Sequence, residues 1–407
     1  MKLLVGPGLR DPNGNEAHLV RSLKRMADVV TFDQQVDTLD GLLATLPSGW
    51  KPDAMLVRDA EFYRLPRGLE RAEFPVFALV GDYNLSLGQM LPIMCCFDYF
   101  FCDSKGVRIF RKLGFQNCEF LCLYGFDPEL HRDYGLEKMW DVAFVGNLNH
   151  AIQQERESHL FRLARLADTY RVHIDTGIFG TEYARVLNQA HLVFNLPIRD
   201  EANMRFFEAM ACGAVVMNPP SDELELLGFR ADRHYLAFKD PEEALERYFH
   251  QWGEDRRVEI ARNAREVLEH HTYDRRAADL LKAMERIPVD PRNRPALALD
   301  AGEMDARWEQ YFAEEVDVEG LGKVSRFHPT LVAWQRHLVK HELDIRNLDF
   351  HMWAWWIRLL ALSGLKEALA RFLADRENLL QVFPCYHDKA EELRASLNQL
   401  LYGFHFS

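Results

Sequence analysis

An arginine and a glutamate near the start of a predicted helix form the most informative pair in the sequence. Residues 200–213 read DEANMRFFEAMACG, and Asn203 is the predicted N-cap of a helix. Arg205 then lies in the first turn, where a cation opposes the helix dipole unless an anion binds there. Unpaired backbone N–H groups and a guanidinium can bind a diphosphate, and Glu208 can accept hydrogen bonds from both hydroxyls of a ribose. These residues predict a nucleotide-diphosphate site.

The same spacing has a plainer interpretation. Arginine and glutamate at positions i and i+3 commonly pair with each other on a helix surface. Gly213, near the predicted end of the helix, allows a tight return into the apolar stretch 214–217. The pair alone therefore leaves a binding site and a surface ion pair as alternatives.

Three aspartates follow apolar stretches in the first part of the chain and could act as a general base. They are Asp59, Asp82 and Asp103. Asp82 follows the longest of these stretches, 76–80, and lies beside Gly81 in a turn suited to presenting a side chain, so it is the predicted catalytic base. Each could instead cap the next helix, and Asp103 followed by serine is most typical of a cap.

The elements that position these residues repeat a strand–helix pattern twice. Short apolar stretches alternate with helical segments over 1–135, and the pattern restarts over 136–288. Buried strands separated by helices indicate parallel sheets covered on both faces. The predicted fold is therefore α/β, with two tandem Rossmann-like domains that face a cleft lined by the carboxyl ends of their strands.

A third region, 301–407, is predicted to be a C-terminal α-helical appendage without a convincing strand. It follows the proline-rich linker 288–295. Its aromatic residues favour a helical core, with acceptor recognition or homo-oligomer formation as the alternative. His337 and His341 have helical i, i+4 spacing, which without a third ligand is more typical of a surface pair than of a metal site. The tryptophans of this region are Trp308, Trp334, Trp353, Trp355 and Trp356.

Composition argues against several classes of protein. The net charge of −13 disfavours nucleic acid as a partner, and no apolar stretch reaches the length of a membrane span. The seven cysteines form no Cys-x-x-Cys pair, so zinc sites and a disulfide framework are not indicated. We expect a folded cytoplasmic protein with small-molecule or protein partners.

Three segments resemble GT-B glycosyltransferases, and more closely the CgeB-like (spore maturation protein type) family. They are WDVAFVGN at 140–147 followed by Arg156, YARVLNQAHLVFN at 183–195, and NMRFFEAMACG at 203–213. Asp200 and Glu208 have the spacing of the GT-B donor signature, although its first residue is usually glutamate. The resemblance covers about 75–290 and does not reach the final hundred or so residues.

The resemblance implies further donor-binding residues. The loop at Gly146 and Asn147 would contact the donor, and Arg156 would assist Arg205 with the diphosphate unless it is an ordinary surface arginine. The loop between the first strand and the first helix resembles the glycine-rich loop of GT-B enzymes. Gly14 and Asn15 are its expected contact points.

The function implied is a metal-independent transfer of a hexose-type sugar from a nucleotide-diphosphate sugar to an unidentified acceptor. The nucleotide sugar is a co-substrate, and no other cofactor is expected. No Asp-x-Asp motif is present to hold a metal. A sugar-nucleotide epimerase of the same fold and a non-catalytic scaffold are the alternatives.

Overall fold

In a computed structural model, the structure of the chain is described for residues 1–7, 15–32, 37–318, 322–344 and 350–365. The strands in this part are β1 (Lys2–Gly6), β2 (Asp28–Thr31), β3 (Ala54–Arg58), β4 (Val76–Val80), β5 (Tyr99–Cys102), β6 (Cys118–Phe120), β7 (Trp140–Val145), β8 (Val172–Asp175), β9 (Ala190–Phe194), β10 (Val215–Asn218), β11 (Leu236–Ala237), β12 (Glu315–Val318) and β13 (Gly322–Ser325).

The α-helices of the described residues alternate with these strands. They are α1 (Asn15–Met26), α2 (Leu39–Ala44), α3 (Tyr83–Met90), α4 (Ser104–Lys112), α5 (His150–Arg165), α6 (Gly180–Asn188), α7 (Met204–Ala211), α8 (Asp222–Leu226), α9 (Pro241–Glu246), α10 (Glu254–Leu268), α11 (Tyr273–Arg286), α12 (Ala301–Phe312), α13 (Pro329–Lys340) and α14 (Phe350–Leu362).

The described residues form two compact units. The first comprises those of Met1–Gly8, Val30–Phe120 and Pro288–Ser407, and the second those of Leu9–Val29 and Leu121–Ile287. These limits differ from the expected domains 1–135, 136–288 and 301–407. Helix α1 belongs to the second unit because it packs on α11, and the C-terminal helices belong to the first.

The first unit contains a six-stranded sheet with the order β2-β1-β3-β4-β5-β6. Strands β1, β3, β4, β5 and β6 pair in parallel, and β3 and β4 are buried along their whole length. The chain reverses its direction of travel across the sheet between β1 and β3, and such a reversal places ligands at the carboxyl ends of the strands. Asp59 and Asp82 follow β3 and β4 at this edge.

The second unit contains a five-stranded parallel sheet with the order β11-β10-β9-β7-β8. Its core includes buried Phe144, Phe194 and Met217 on neighbouring strands. Helix α7 connects β9 to β10, so residues at its N-terminus lie at the carboxyl edge of the sheet. The α/β architecture predicted from the apolar stretches is confirmed.

The predicted linker 288–295 is bound tightly to the first unit through Arg294. This guanidinium is buried, pairs with Asp98 at 2.7 Å, and donates to the carbonyls of Leu69, Glu70, Ala72 and Phe74. A buried cation without such partners would be strongly destabilising. The arginine therefore fixes the start of the C-terminal region on the first sheet.

The expectation that no strand follows residue 301 is wrong. β12 and β13 form an antiparallel hairpin in which Val316 pairs with Val324. Each strand has only four residues, and residues 319–321 between them lie outside the described part of the chain. Trp308, Trp355 and Trp356 are buried in the core of the first unit, as the core interpretation predicts.

Candidate functional site

A pocket of about 380 Å³ lies at the carboxyl edge of the second sheet. This volume is in the range that small organic ligands occupy. The ends of β7 and β8, the start of α6 and the start of α7 supply most of its lining. The residues that line it are Leu130, His131, Val145, Gly146, Asn147, Thr176, Gly177, Ile178, Phe179, Gly180, Tyr183, Met204, Arg205 and Glu208.

The start and end of α7 are as the sequence predicts. Asn203 is the N-cap, and its side chain accepts a hydrogen bond from the backbone N–H of Phe206 at 3.3 Å. Arg205 is therefore in the first turn. Gly213 follows the helix with a φ of +79°, which permits the tight return into β10.

Arg205 crosses from α7 to the end of β7. Its Nε donates to the carbonyl of Val145 at 3.0 Å, and its Nη1 donates to Asn195 Oδ1 at 3.0 Å. The guanidinium carbon lies 4.6 Å from the centre of the Phe144 ring. These contacts hold a cation rigidly at the helix N-terminus, where an anionic ligand would be stabilised.

Gly146 is required for this position of the arginine. A Cβ added at residue 146 would lie 2.1 Å from Nη2 of Arg205, closer than any non-bonded contact allows. The guanidinium therefore lies directly against the backbone of the loop after β7. The structure brings together Gly146, Asn147, Asn203, Arg205 and Glu208, which the sequence assigned to one site.

Glu208 is buried and makes contacts different from those of Arg205. Its Oε2 accepts a hydrogen bond from the Tyr183 hydroxyl at 3.0 Å, and its Oε1 lies 3.6 Å from Nε2 of His131. The surface ion pair weighed as the alternative is absent, since each of the two side chains has other partners in the described part of the chain.

Burial shifts the protonation of this cluster. It raises the pKa of Glu208 to about 7, while the Tyr183 hydrogen bond and the Arg205 charge act in the opposite direction. Burial also lowers the pKa of His131 to about 3, so the ring is neutral. Because His131 Nδ1 accepts from the N–H of Asp127 at 3.3 Å, its proton is on Nε2, which faces Glu208.

We expect Tyr183→Phe to raise the pKa of Glu208 further. The hydroxyl donates to the carboxylate, and a hydrogen bond to a charged group is worth about 1.5–3 kcal/mol, or about one pH unit or more. If ionised Glu208 binds the ligand, affinity falls as pH drops below the pKa of the carboxyl, and the variant moves this fall to higher pH.

The measurement is calorimetric titration with a nucleoside diphosphate from pH 6 to pH 9. Glu208→Gln is the control, because it removes the titrating group and should remove the same pH dependence while leaving that of the ligand's phosphates. Identical pH profiles of the wild type and Tyr183→Phe would contradict this role of the tyrosine.

A second layer of residues behind the pocket was not predicted from the sequence. His18 of α1 binds Asp127 Oδ2 through Nδ1 at 2.8 Å and stacks on Tyr273 with ring centres 5.2 Å apart. Its ring centre lies 5.9 Å from that of His131. Spacing gives no hint of these contacts, because the partners are more than a hundred residues apart.

Arg156 is buried and is not a surface arginine. It donates to the carbonyl of Leu196 through Nε and Nη2, at 3.1 and 2.7 Å, and Nη1 lies 3.4 Å from the carbonyl of Asn147. It does not line the pocket of Arg205. Gly14 lies outside the described residues, and Asn15 is the first residue of α1, with its side chain outside the description.

In the first unit, the three strand-end aspartates have different environments. Asp103 caps α4, accepting from the N–H of Gly106 at 2.7 Å, as the capping interpretation predicts. Asp59 pairs with Arg58 at 2.7 Å. Asp82 occupies the N-cap position of α3, but its side chain makes no capping hydrogen bond.

Glu61, which the sequence did not single out, holds the Asp82 loop. Its Oε1 accepts from the backbone N–H groups of Gly81 and Asp82, at 2.5 and 2.8 Å. Burial, with the charges of Asp59 and Asp82, raises the pKa of Glu61 to about 8. Glu61 is thus neutral at pH 7 and fixes the backbone that carries Asp82.

We expect Glu61→Gln to stabilise the fold more at pH 8 than at pH 5. The amide keeps an oxygen for both N–H groups, but it does not ionise. In the wild type the folded pKa lies above the usual value of 4.5, so stability is lost as pH rises from about 4.5 to about 8, by on the order of a few kcal/mol. Thermal unfolding at both pH values tests this, and an equal shift in Tm would contradict it.

Two further features of the described residues bear on function. His337 and His341 lie at the end of α13 with ring centres 4.5 Å apart, and the described part holds no cluster of three metal-type ligands. Across the same residues, every helix falls short of the length and apolarity that crossing a bilayer requires.

Comparison with known proteins agrees with this architecture. A family model described as glycosyl transferase-like matches residues 136–282, which contain the second sheet and the lining of its pocket apart from Leu130 and His131. A search of the curated proteins finds no match.

Several solved structures share the fold at low identity. Anabaena HepE, in complex with UDP and glucose, is 13% identical with a TM-score of 0.50, over 70% of this chain and 100% of that one. Sucrose-phosphate synthase from Thermosynechococcus elongatus is 13% identical with a TM-score of 0.50, over 70% and 98%. The protein in a third structure, described as trehalose-6-phosphate from E. coli bound with UDP-2-fluoro glucose, is 10% identical with a TM-score of 0.50, over 71% of this chain and 99% of that one. The chain has the GT-B glycosyltransferase fold, with the glycosyl transferase-like match in its second unit.

Proposed function

We propose that the chain is a glycosyltransferase of the CgeB-like type that moves a sugar from a nucleotide-diphosphate sugar to an acceptor hydroxyl. The observation that carries the proposal is the pocket of the second unit, where Arg205 and Glu208 line one cavity at a helix N-terminus. A cation and free backbone N–H groups suit a diphosphate. A buried carboxylate suits vicinal hydroxyls.

In this proposal each side of the pocket binds one part of the donor. Arg205 and the backbone at Gly146 and Asn147 bind the diphosphate, and Glu208 accepts from the ribose hydroxyls. Asn203 positions the helix N-terminus by capping it. Arg156 supports the loop through the carbonyl of Asn147. UDP is the first nucleotide to test, because HepE of the same fold was solved with UDP.

The leaving diphosphate gains negative charge as the bond to the sugar breaks. A fixed guanidinium and a helix N-terminus stabilise such charge without a metal ion. We therefore propose metal-independent catalysis. Asp82 accepts the proton of the acceptor hydroxyl as its oxygen attacks the anomeric carbon, if the reaction inverts that centre.

The test of the function is calorimetric binding of UDP, GDP, dTDP and ADP, followed by product analysis with the matching nucleotide sugar. Binding of one nucleotide and transfer of the sugar to an added acceptor would support the proposal. An altered sugar with donor alone would indicate an epimerase. Absence of binding for all four would favour a scaffold.

A further inference from the structure

The first unit contains a second cavity, of about 170 Å³, between α3 and the C-terminal region. It is more enclosed than the donor pocket. Its walls come from β12, from Arg326 just after β13, and from α12, α13 and α14, together with the second half of α3. The apolar part of the lining consists of Ala313, Val316, Leu331, Trp355 and Leu359.

Two polar groups in this lining have hydrogen-bonding capacity that the described residues leave unused. Gln89 is nine-tenths buried, and its Oε1 has no hydrogen-bond partner among the described residues. An unpaired buried acceptor costs about 1–3 kcal/mol. Gln335 beside it is satisfied, since it accepts from Gly88 and donates to Leu85. Gln89 Oε1 is therefore an acceptor that a ligand in the cavity could use.

Arg326 is the second such group. Its guanidinium is half-buried, donates only to the carbonyl of Tyr311 at 3.4 Å and forms no ion pair within the described part of the chain. Its burial lowers the pKa of the guanidinium. Arg358 differs, because it lies 3.9 Å from Asp317 Oδ2. Glu315 and Asp317 also line the cavity but are exposed to solvent, so among the described residues Arg326 is the lining cation without a carboxylate partner.

The cavity shares helix α3 with the predicted catalytic base. Asp82 precedes the first turn of α3, while Ser86, Gly88 and Gln89 of the same helix line the cavity. The helix has non-helical backbone at Ser86, so it is kinked between Asp82 and Gln89. A molecule seated against Gln89 would therefore lie beside the helix that Asp82 begins, beyond this kink.

We propose that this cavity binds the acceptor, and that the acceptor carries an apolar ring, a hydrogen-bond donor for Gln89 and an anionic group for Arg326. Identifying the ligand as the acceptor rests on the proposed glycosyl transfer, whereas the binding site itself does not depend on that proposal. The chemical class is a hydroxylated organic acid. Trp355 contributes an aromatic face for its ring.

The test uses 4-hydroxybenzoate as the probe and neutral 4-hydroxybenzyl alcohol as its matched counterpart, each titrated into the full chain by calorimetry or ligand-observed NMR. We expect the acid to bind in the millimolar range or tighter. Arg326→Gln should weaken the binding of the acid by at least about tenfold and leave the binding of the alcohol unchanged. Gln89→Leu should weaken both probes while leaving thermal stability equal or higher.

Lys323→Gln is the control, because Lys323 is an exposed cation on the neighbouring strand and does not line the cavity. Ala313→Trp, which fills the cavity, should abolish binding of both probes. UDP affinity, measured in every variant, should stay unchanged, so loss of UDP binding and loss of probe binding are separate outcomes. Absence of probe binding, or equal binding by Arg326→Gln and the wild type, would overturn the proposal.

Discussion

Arg205→Ala is expected to weaken the binding of UDP by at least about tenfold, or ~1.4 kcal/mol. The substitution removes the cation beside the N-terminus of α7 and also the bonds to Val145 and Asn195 that hold the loop after β7. Asn195 accepts from both Arg205 and Asn203, so the loss also loosens the cap of α7. Calorimetric titration at constant salt measures the effect.

Two further variants separate the charge from the geometry. Gly146→Ala leaves the guanidinium in the chain but places a Cβ 2.1 Å from its Nη2, so it should weaken UDP binding to a similar degree. Arg262→Ala, at an exposed position of α10, is the matched control and should bind UDP as the wild type does. Unchanged UDP affinity in both Arg205→Ala and Gly146→Ala would indicate that the nucleotide binds elsewhere.

Asp82→Asn is expected to reduce sugar transfer by at least about 100-fold while UDP binding stays within about twofold. The amide occupies the same volume and cannot accept the proton of an acceptor hydroxyl. Asp82 is at the N-cap position of α3, and Asn suits this position about as well as Asp, so the substitution should not destabilise the helix. Steady-state kinetics with the nucleotide sugar, once its acceptor is known, give kcat and KM separately.

Asp103→Asn is the control for this experiment. Asn caps helices about as well as Asp, so the bonds from Gly106 and Tyr83 can still be made and turnover should persist. If the two variants lost activity equally, the loss would not be specific to Asp82. If Asp82→Asn kept full activity, Asp82 would not be the base.

Local signals in the sequence were sufficient for the buried strands of the two sheets and for the limits of α7. Continuous apolar stretches predict the buried strands β4 and β7, because parallel strands covered on both faces have no polar side. Asn203 and Gly213 predict the ends of α7, because capping depends on residues next to the helix.

Such local signals do not predict contacts between residues that are distant in the sequence. Glu61 supports Asp82 from a loop twenty residues earlier, and His131 approaches Glu208 from outside the signature segment. The strands β12 and β13 were missed because four residues of weak alternation give little pattern. These features depend on how the chain packs, which periodicity does not encode.

Arg294 has a consequence for the order in which the chain folds during synthesis. The first unit is discontinuous, since its sheet comes from the start of the chain and Arg294, which neutralises buried Asp98, comes after residue 287. A ribosome releases the chain from its N-terminus, so all of the second unit has emerged before this arginine does. The sheet that begins first is therefore made before the cation that pairs with Asp98, and the unit made in the middle of translation can complete its core earlier.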